Sequence, residues 1–94
     1  MTYFAVQYDY TPGADLDSVR PAHRAYLRKL AEAGDLVASG PLVGTEHGGA
    51  LLIMQAPHPE RVADLLDRDP FAASGFIARR TITEWDPVIG VFAG

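Results

Sequence analysis

The chain has 94 residues, a formal net charge of −4, 48% hydrophobic residues and no cysteine. That length suits a single domain spanning 1-94, with modest stability to spare. The missing cysteines exclude disulfides, thiolate metal sites and a Cys nucleophile, and eight basic residues without a dense run argue against nucleic acid as the main partner. The apolar share is high for so short a chain and implies that some apolar surface meets a partner. No apolar run approaches the ~20 residues of a membrane span, and the N-terminus lacks a basic segment followed by an apolar one. A soluble, cytoplasmic protein with no membrane partner is the expectation.

Tyr3–Tyr10 is aromatic and β-branched and predicts a strand, broken by Thr11-Pro12-Gly13. Asp17 or Ser18 is placed to cap a helix running to about Ala33, with Pro21 in its first turn and Gly34 in the left-handed position beyond its end. Leu36–Val43 predicts a second strand. Pro41 lacks an N–H, so this stretch belongs at a sheet edge, a bulge or a strand end. Gly44–Gly49 forms a turn, and Ala50–Ala56 is an apolar third strand. Pro59 starts a second helix whose inner face carries Val62, Ala63, Leu65 and Leu66. Asp69-Pro70 ends that helix, because proline disfavours helical geometry in the residue before it. Phe71–Gly75 is a short turn or helix, Phe76–Trp85 a fourth strand, and an apolar tail (VIGVF) follows.

The order β-α-β-β-α-β predicts an α+β, ferredoxin-like fold: a four-stranded antiparallel sheet with two helices on one face. The open face should then be polar. Instead the first strand offers Tyr3, Ala5 and Gln7 on one side and Phe4, Val6 and Tyr8 on the other, and the third strand is apolar on both. A homodimer with the two sheets packed face to face accounts for this, with Val88, Ile89, Val91 and Phe92 extending the interface. A monomer with its tail folded back is the alternative.

Two residues could carry chemistry. His23 shares a helical stripe with Tyr26, Leu27, Leu30 and Ala31, beside a more exposed row of Arg20, Arg24 and Arg28. A histidine on an inner stripe needs its ring nitrogens satisfied, and beside a carboxylate it can shuttle protons. The alternative is a boundary histidine bonded to a backbone carbonyl. Asp69 either caps a short helix from Pro70 or faces His23 and fixes its tautomer. Ser39, before Gly40-Pro41, could bond a ligand or the histidine. Tyr8, Tyr26, Phe71 and Trp85 could wall an apolar pocket or simply fill the core. There is no Gly-x-Ser-x-Gly elbow, the three histidines (His23, His47, His58) lack metal-binding spacing, and no phosphate-cradling loop is present. No cofactor and no metal are therefore expected.

The helix bearing Arg20-Pro21-Ala22-His23-Arg24-Ala25-Tyr26-Leu27, then Gly34, Ala38-Ser39-Gly40-Pro41-Leu42, Asp69-Pro70-Phe71, Gly75 and a strand ending at Trp85 resemble, as an ordered set, the YCII-related (YciI-like) family. The strand ends Glu84-Trp85-Asp86-Pro87, where the family more usually has Pro-Trp. The resemblance covers nearly the whole chain. It implies the ferredoxin-like fold, a dimer with face-to-face sheets (a dimeric α+β barrel), and an active site built on a His and an Asp at the positions of His23 and Asp69, approached by Ser39. One activity described in this group is dehydrochlorination of a chlorinated hydroxyhydroquinone; related barrels include lactone isomerases and small monooxygenases.

The expectation is a cofactor-independent lyase or isomerase acting on a cyclic or aromatic small molecule. His23 would be the general acid or base and Asp69 its partner. Ser39, Arg20 and Phe71 would bind substrate, Arg20 by attracting an anionic group. A non-catalytic ligand-binding or dimerisation module and a small-molecule sensor are the alternatives.

Overall fold

Large apolar residues at every second position organise the first strand, β1 (Thr2–Tyr10). Phe4, Val6, Tyr8 and Tyr10 are buried on one face, while Tyr3, Ala5, Gln7 and Asp9 lie on the other. The computed structural model describes residues 2–46 and 48–93; His47, which the sequence assigns to a turn, lies outside them. The remaining elements are α1 (Leu16–Glu32), β2 (Leu36–Pro41), β3 (Gly49–Ala56), α2 (Pro59–Asp67), α3 (Pro70–Ala73) and β4 (Ile77–Trp85). The sheet runs β2-β3-β1-β4 with every pairing antiparallel. The small α+β architecture with four antiparallel strands and the chain order of elements thus match the expectation, and the short turn or helix expected at Phe71–Gly75 is the four-residue α3.

Helix α1 starts earlier than its sequence suggests. Asp15 is the cap residue, without a side-chain cap bond, and Ser18 Oγ donates back to the Asp15 carbonyl. The extra turn lets Leu16 and Val19 pack against the core. It also puts Pro21 in the second turn rather than the first. His23, Leu27 and Leu30 are buried and Tyr26 half-buried, but Ala31 is exposed. At about 100° per residue it lies roughly 80° around the helix from His23, at the edge of the stripe. The helix ends in a Schellman motif: Gly34 (φ +86°) donates to Ala31 and Asp35 to Leu30.

Strand β2 stops at Pro41, two residues short of its expected end, and lies at the sheet edge where a residue without an N–H is tolerated. The inward row of β3 (Ala50, Leu52, Met54, Ala56) meets that of β1, and α2 lays Val62, Leu65 and Leu66 over it. Helix α1 packs on β2 and α3, and α2 on β3 and β4, so the helices share one face. The opposite face carries Ala5, Leu51 and Ile53, with Leu51 41% exposed. At one end of it Tyr3, Trp85 and Phe92 form an aromatic cluster, beyond which Val88, Ile89 and Val91 are exposed. Among the described residues no helix is long and apolar enough to cross a membrane.

Candidate functional site

His23, Asp69 and Tyr8 come from three different elements and meet inside the protein. The buried stripe of α1 holds His23 inward. Inward parity in β1 does the same for Tyr8. Asp69 sits in the turn between α2 and α3, where Pro70 forces extended backbone (φ −60°, ψ 128°) and its side chain caps α3. Asp69 is fully buried, yet each carboxylate oxygen is occupied. Oδ1 accepts from the Phe71 backbone N–H at 3.0 Å and from His23 Nδ1 at 2.8 Å; Oδ2 accepts from the Tyr8 hydroxyl at 3.0 Å. The two readings of Asp69, helix cap and histidine partner, are both realised by the same oxygen.

This arrangement decides which ring nitrogen of His23 is free. A carboxylate accepts only, so Nδ1 carries the proton it donates. In the neutral ring Nε2 then holds the lone pair. No described residue bonds Nε2, and no buried side-chain nitrogen or oxygen lacks a partner among the described residues, so Nε2 reaches open space. Phe71 fixes the ring plane: the two rings stack with centroids 3.9 Å apart and 9° between planes. Burial, reinforced by the Asp69 charge and the hydrogen bond to it, pushes the Tyr8 phenol far above its ordinary range. Tyr8 therefore stays a neutral donor to Asp69 across any physiological pH.

The open side of His23 faces a cavity of about 480 Å³. Arg20 and Arg24, successive turns of α1, line it with Ser39 and Gly40 from β2 and with Tyr10 from β1. The structure thus brings His23, Asp69, Arg20, Ser39 and Phe71 into one neighbourhood. Ser39 lines the cavity, but among the described residues its hydroxyl makes no bond to His23. Phe71 lines it chiefly as the support under the histidine. Arg20 is held by an ion pair with Asp17 on the preceding turn.

Two suggested pocket walls belong elsewhere. Trp85 pairs with Tyr3 across β1 and β4 and so falls on the opposite sheet face. Tyr26 donates to the Leu65 carbonyl at 2.6 Å, tying α1 to α2. Sequence reasoning passed over Tyr10, and it read Tyr8 as pocket wall or core filler. The signal for both was their shared parity with Phe4 and Val6 in a strand whose inward residues otherwise carry no polar atom. Among the described residues no group of three or more His, Cys, Asp or Glu side chains could hold a metal ion.

The YCII-related domain family matches residues 1–86. The chain belongs to the YCII-related family. Among solved structures this YCII-related domain is similar to the 5-chloro-2-hydroxyhydroquinone dehydrochlorinase of Burkholderia phenoliruptrix AC1100 in complex with 2,5-dihydroxybenzoquinone. The identity is 26% and the TM-score 0.79, over 89% of this chain and 93% of that one. It is also similar to an antibiotic biosynthesis monooxygenase, at 19% identity and a TM-score of 0.60 over 95% of this chain and 100% of that one, a likeness of fold alone. No curated protein matches the chain.

Proposed function

We propose that the protein is a small-molecule enzyme performing proton transfer, by elimination or isomerisation, on a hydroxylated ring compound. The observation that carries this reading is the buried Tyr8–Asp69–His23 chain, which leaves Nε2 as a free base on a cavity. A packing histidine in a ligand-free module has no need of an oriented tautomer or of space before its unbonded nitrogen. The family membership and the likeness to a dehydrochlorinase point to the same chemistry.

For loss of HCl from a chlorinated polyhydroxybenzene, Nε2 takes a proton from a ring hydroxyl. The freed electron pair brings that proton back from the imidazolium onto the chlorine-bearing carbon, making it tetrahedral in a ketone tautomer; Nε2 then takes the proton of a second ring hydroxyl, whose electron pair passes through the ring and expels chloride. The net change is loss of HCl: two C–OH groups become C=O while C–Cl becomes C–H, so the oxidation level of the ring carbons is unchanged overall and no external oxidant enters. Asp69 stabilises the imidazolium formed at His23, and Tyr8 and the Phe71 N–H hold Asp69 in place.

The test is chloride release from 5-chloro-2-hydroxyhydroquinone under argon. His23→Gln, which keeps the volume but not the base, should lower the rate by about 10²–10⁴-fold. Unchanged release in that variant would overturn the assignment of His23.

A second copy of the chain is proposed as the cover for the open sheet face. Ala5, Leu51 and Ile53 form an apolar strip there, and the Tyr3, Trp85 and Phe92 cluster continues it at one end. The two sheets would then pack face to face.

A further inference from the structure

Tyr10 stands apart from the other buried polar groups. Only 8% of it is exposed, it lines the cavity beside His23, and no described residue accepts from or donates to its hydroxyl. Since no buried side-chain oxygen among the described residues is orphaned, the hydroxyl opens onto the cavity.

Its surroundings specify what it is suited to meet. The Tyr10 ring packs against Phe71 at 5.5 Å and 80°, the same Phe71 that stacks on His23, so Phe71 holds both polar groups at one wall. Arg20 and Arg24 line the same space, and both draw the Tyr10 phenol down against the upward push of burial. No carboxylate is paired with Arg24 among the described residues. The cavity therefore presents a phenol hydroxyl, a base, the Arg24 guanidinium and that of Arg20, whose charge Asp17 partly offsets, and the carboxylate of Asp69 is turned away into the interior.

We propose that the Tyr10 hydroxyl is a substrate-binding group that donates a hydrogen bond to an anionic ring oxygen, with Arg20 and Arg24 supplying the counter-charge. The substrate class is then an acidic hydroxylated ring, such as a hydroxyquinone or a cyclic enediol, bound as its anion. This rests on the proton-transfer reading above and adds the charge state in which the site takes its substrate. A neutral phenol donor and flanking guanidinium groups favour an ionised oxygen over a hydroxyl, because charge-assisted hydrogen bonds are about twice as strong as neutral ones.

The experiment titrates 2,5-dihydroxybenzoquinone, an anion at neutral pH, against 2,5-dimethoxybenzoquinone, its neutral counterpart, following quinone absorbance. Wild type should prefer the anion. Tyr10→Phe should weaken anion binding about 10-fold or more, and Arg24→Gln should do the same. Affinity for the neutral quinone should fall by a smaller factor in each, whereas a merely disturbed cavity would lose both ligands alike. Anion binding that falls in His23→Gln but is unchanged in Tyr10→Phe would overturn this inference and leave the proton-transfer reading standing. Failure of wild type to bind either quinone would overturn both.

Discussion

Asp69 gives the sharpest test of how this site is built, because two substitutions there differ in what they leave unpaired. Asp69→Ala deletes the acceptor of three buried donors: the Phe71 N–H, His23 Nδ1 and the Tyr8 hydroxyl. At about 1–2 kcal/mol per orphaned donor, the loss comes to about 3–6 kcal/mol. Small domains have roughly 5–15 kcal/mol in total. Asp69→Asn keeps the shape. Its carbonyl can still accept from Phe71 and His23, and its amide can donate to the Tyr8 oxygen once that hydroxyl turns. The cost is then the weakening of charged bonds to neutral ones, about 1–2 kcal/mol altogether. Urea unfolding followed by tryptophan fluorescence and far-ultraviolet dichroism separates the two. With a slope of about 1 kcal/mol/M, Asp69→Asn should lower the midpoint by about 1–2 M. Asp69→Ala should lower it by more than about 3 M or abolish the cooperative transition. Midpoints agreeing within about 0.5 M would refute the claim that the three donors depend on this carboxylate. The Asn variant also isolates the chemistry: it should fold, yet release chloride more slowly than wild type, since an amide cannot stabilise the imidazolium as a carboxylate does.

Three further outcomes follow from other parts of the structure. The folded chain holds the Tyr8 and Tyr10 protons above the pH, ~10, at which an unfolded chain gives them up. Stability is therefore full below that pH and falls as pH rises through it, by about 1.4 kcal/mol per pH unit per tyrosine. Urea midpoints between about pH 9 and 11 should fall less steeply in Tyr8→Phe, and an unchanged slope would count against the burial of Tyr8 as its cause. Gly49 lies where a Cβ would come 2.4 Å from the Tyr8 carbonyl oxygen. Gly49→Ala should cost about 1–3 kcal/mol by forcing β1 and β3 apart, and thermal melts that coincide with wild type would contradict this. Leu51→Glu puts a charge into the open sheet face, so sedimentation velocity should show a dimer in wild type and a monomer in the variant; a wild-type monomer would remove the face-to-face proposal.

Most of the fold was legible because its signals are local and agree with one another. Period-two burial in β1, the helical stripe around His23, and Pro59 at the start of α2 each select one element. The errors fell at boundaries, where tertiary packing outweighs local chemistry. Asp17 and Ser18 are good caps, but the helix continues past them to pack a partly buried Leu16 against the core. The place of Trp85, pocket wall or core, stays open in the sequence because its face depends on strand register, which pairs it with Tyr3, and register is a property of two strands rather than of one. Tyr8 and Tyr10 were undervalued for a related reason. Their inward parity could be read, but only the assembled sheet shows that one finds a carboxylate and the other finds empty space.

Asp69 shows why capping and chemistry need not compete. A cap needs one acceptor lone pair, and a carboxylate offers about four sites over two oxygens. Here the cap consumes one site on Oδ1, His23 a second on the same atom, and Tyr8 one on Oδ2. The cap bond fixes the Asp69 rotamer from within its own turn, so the direction in which Oδ1 meets His23 is set by the start of α3 rather than by the histidine. Phe71, whose N–H makes that bond, also carries the ring stacked on His23. The four residues of α3 therefore position His23 twice, once through a hydrogen bond to Nδ1 and once through the plane of its ring. A change at Pro70 that loosens this turn should then disturb the site more than its small effect on the core would suggest. Pro70→Ala tests this: proton-transfer activity should fall by a larger factor than stability, and loss of the two in proportion would mean that α3 contributes packing alone.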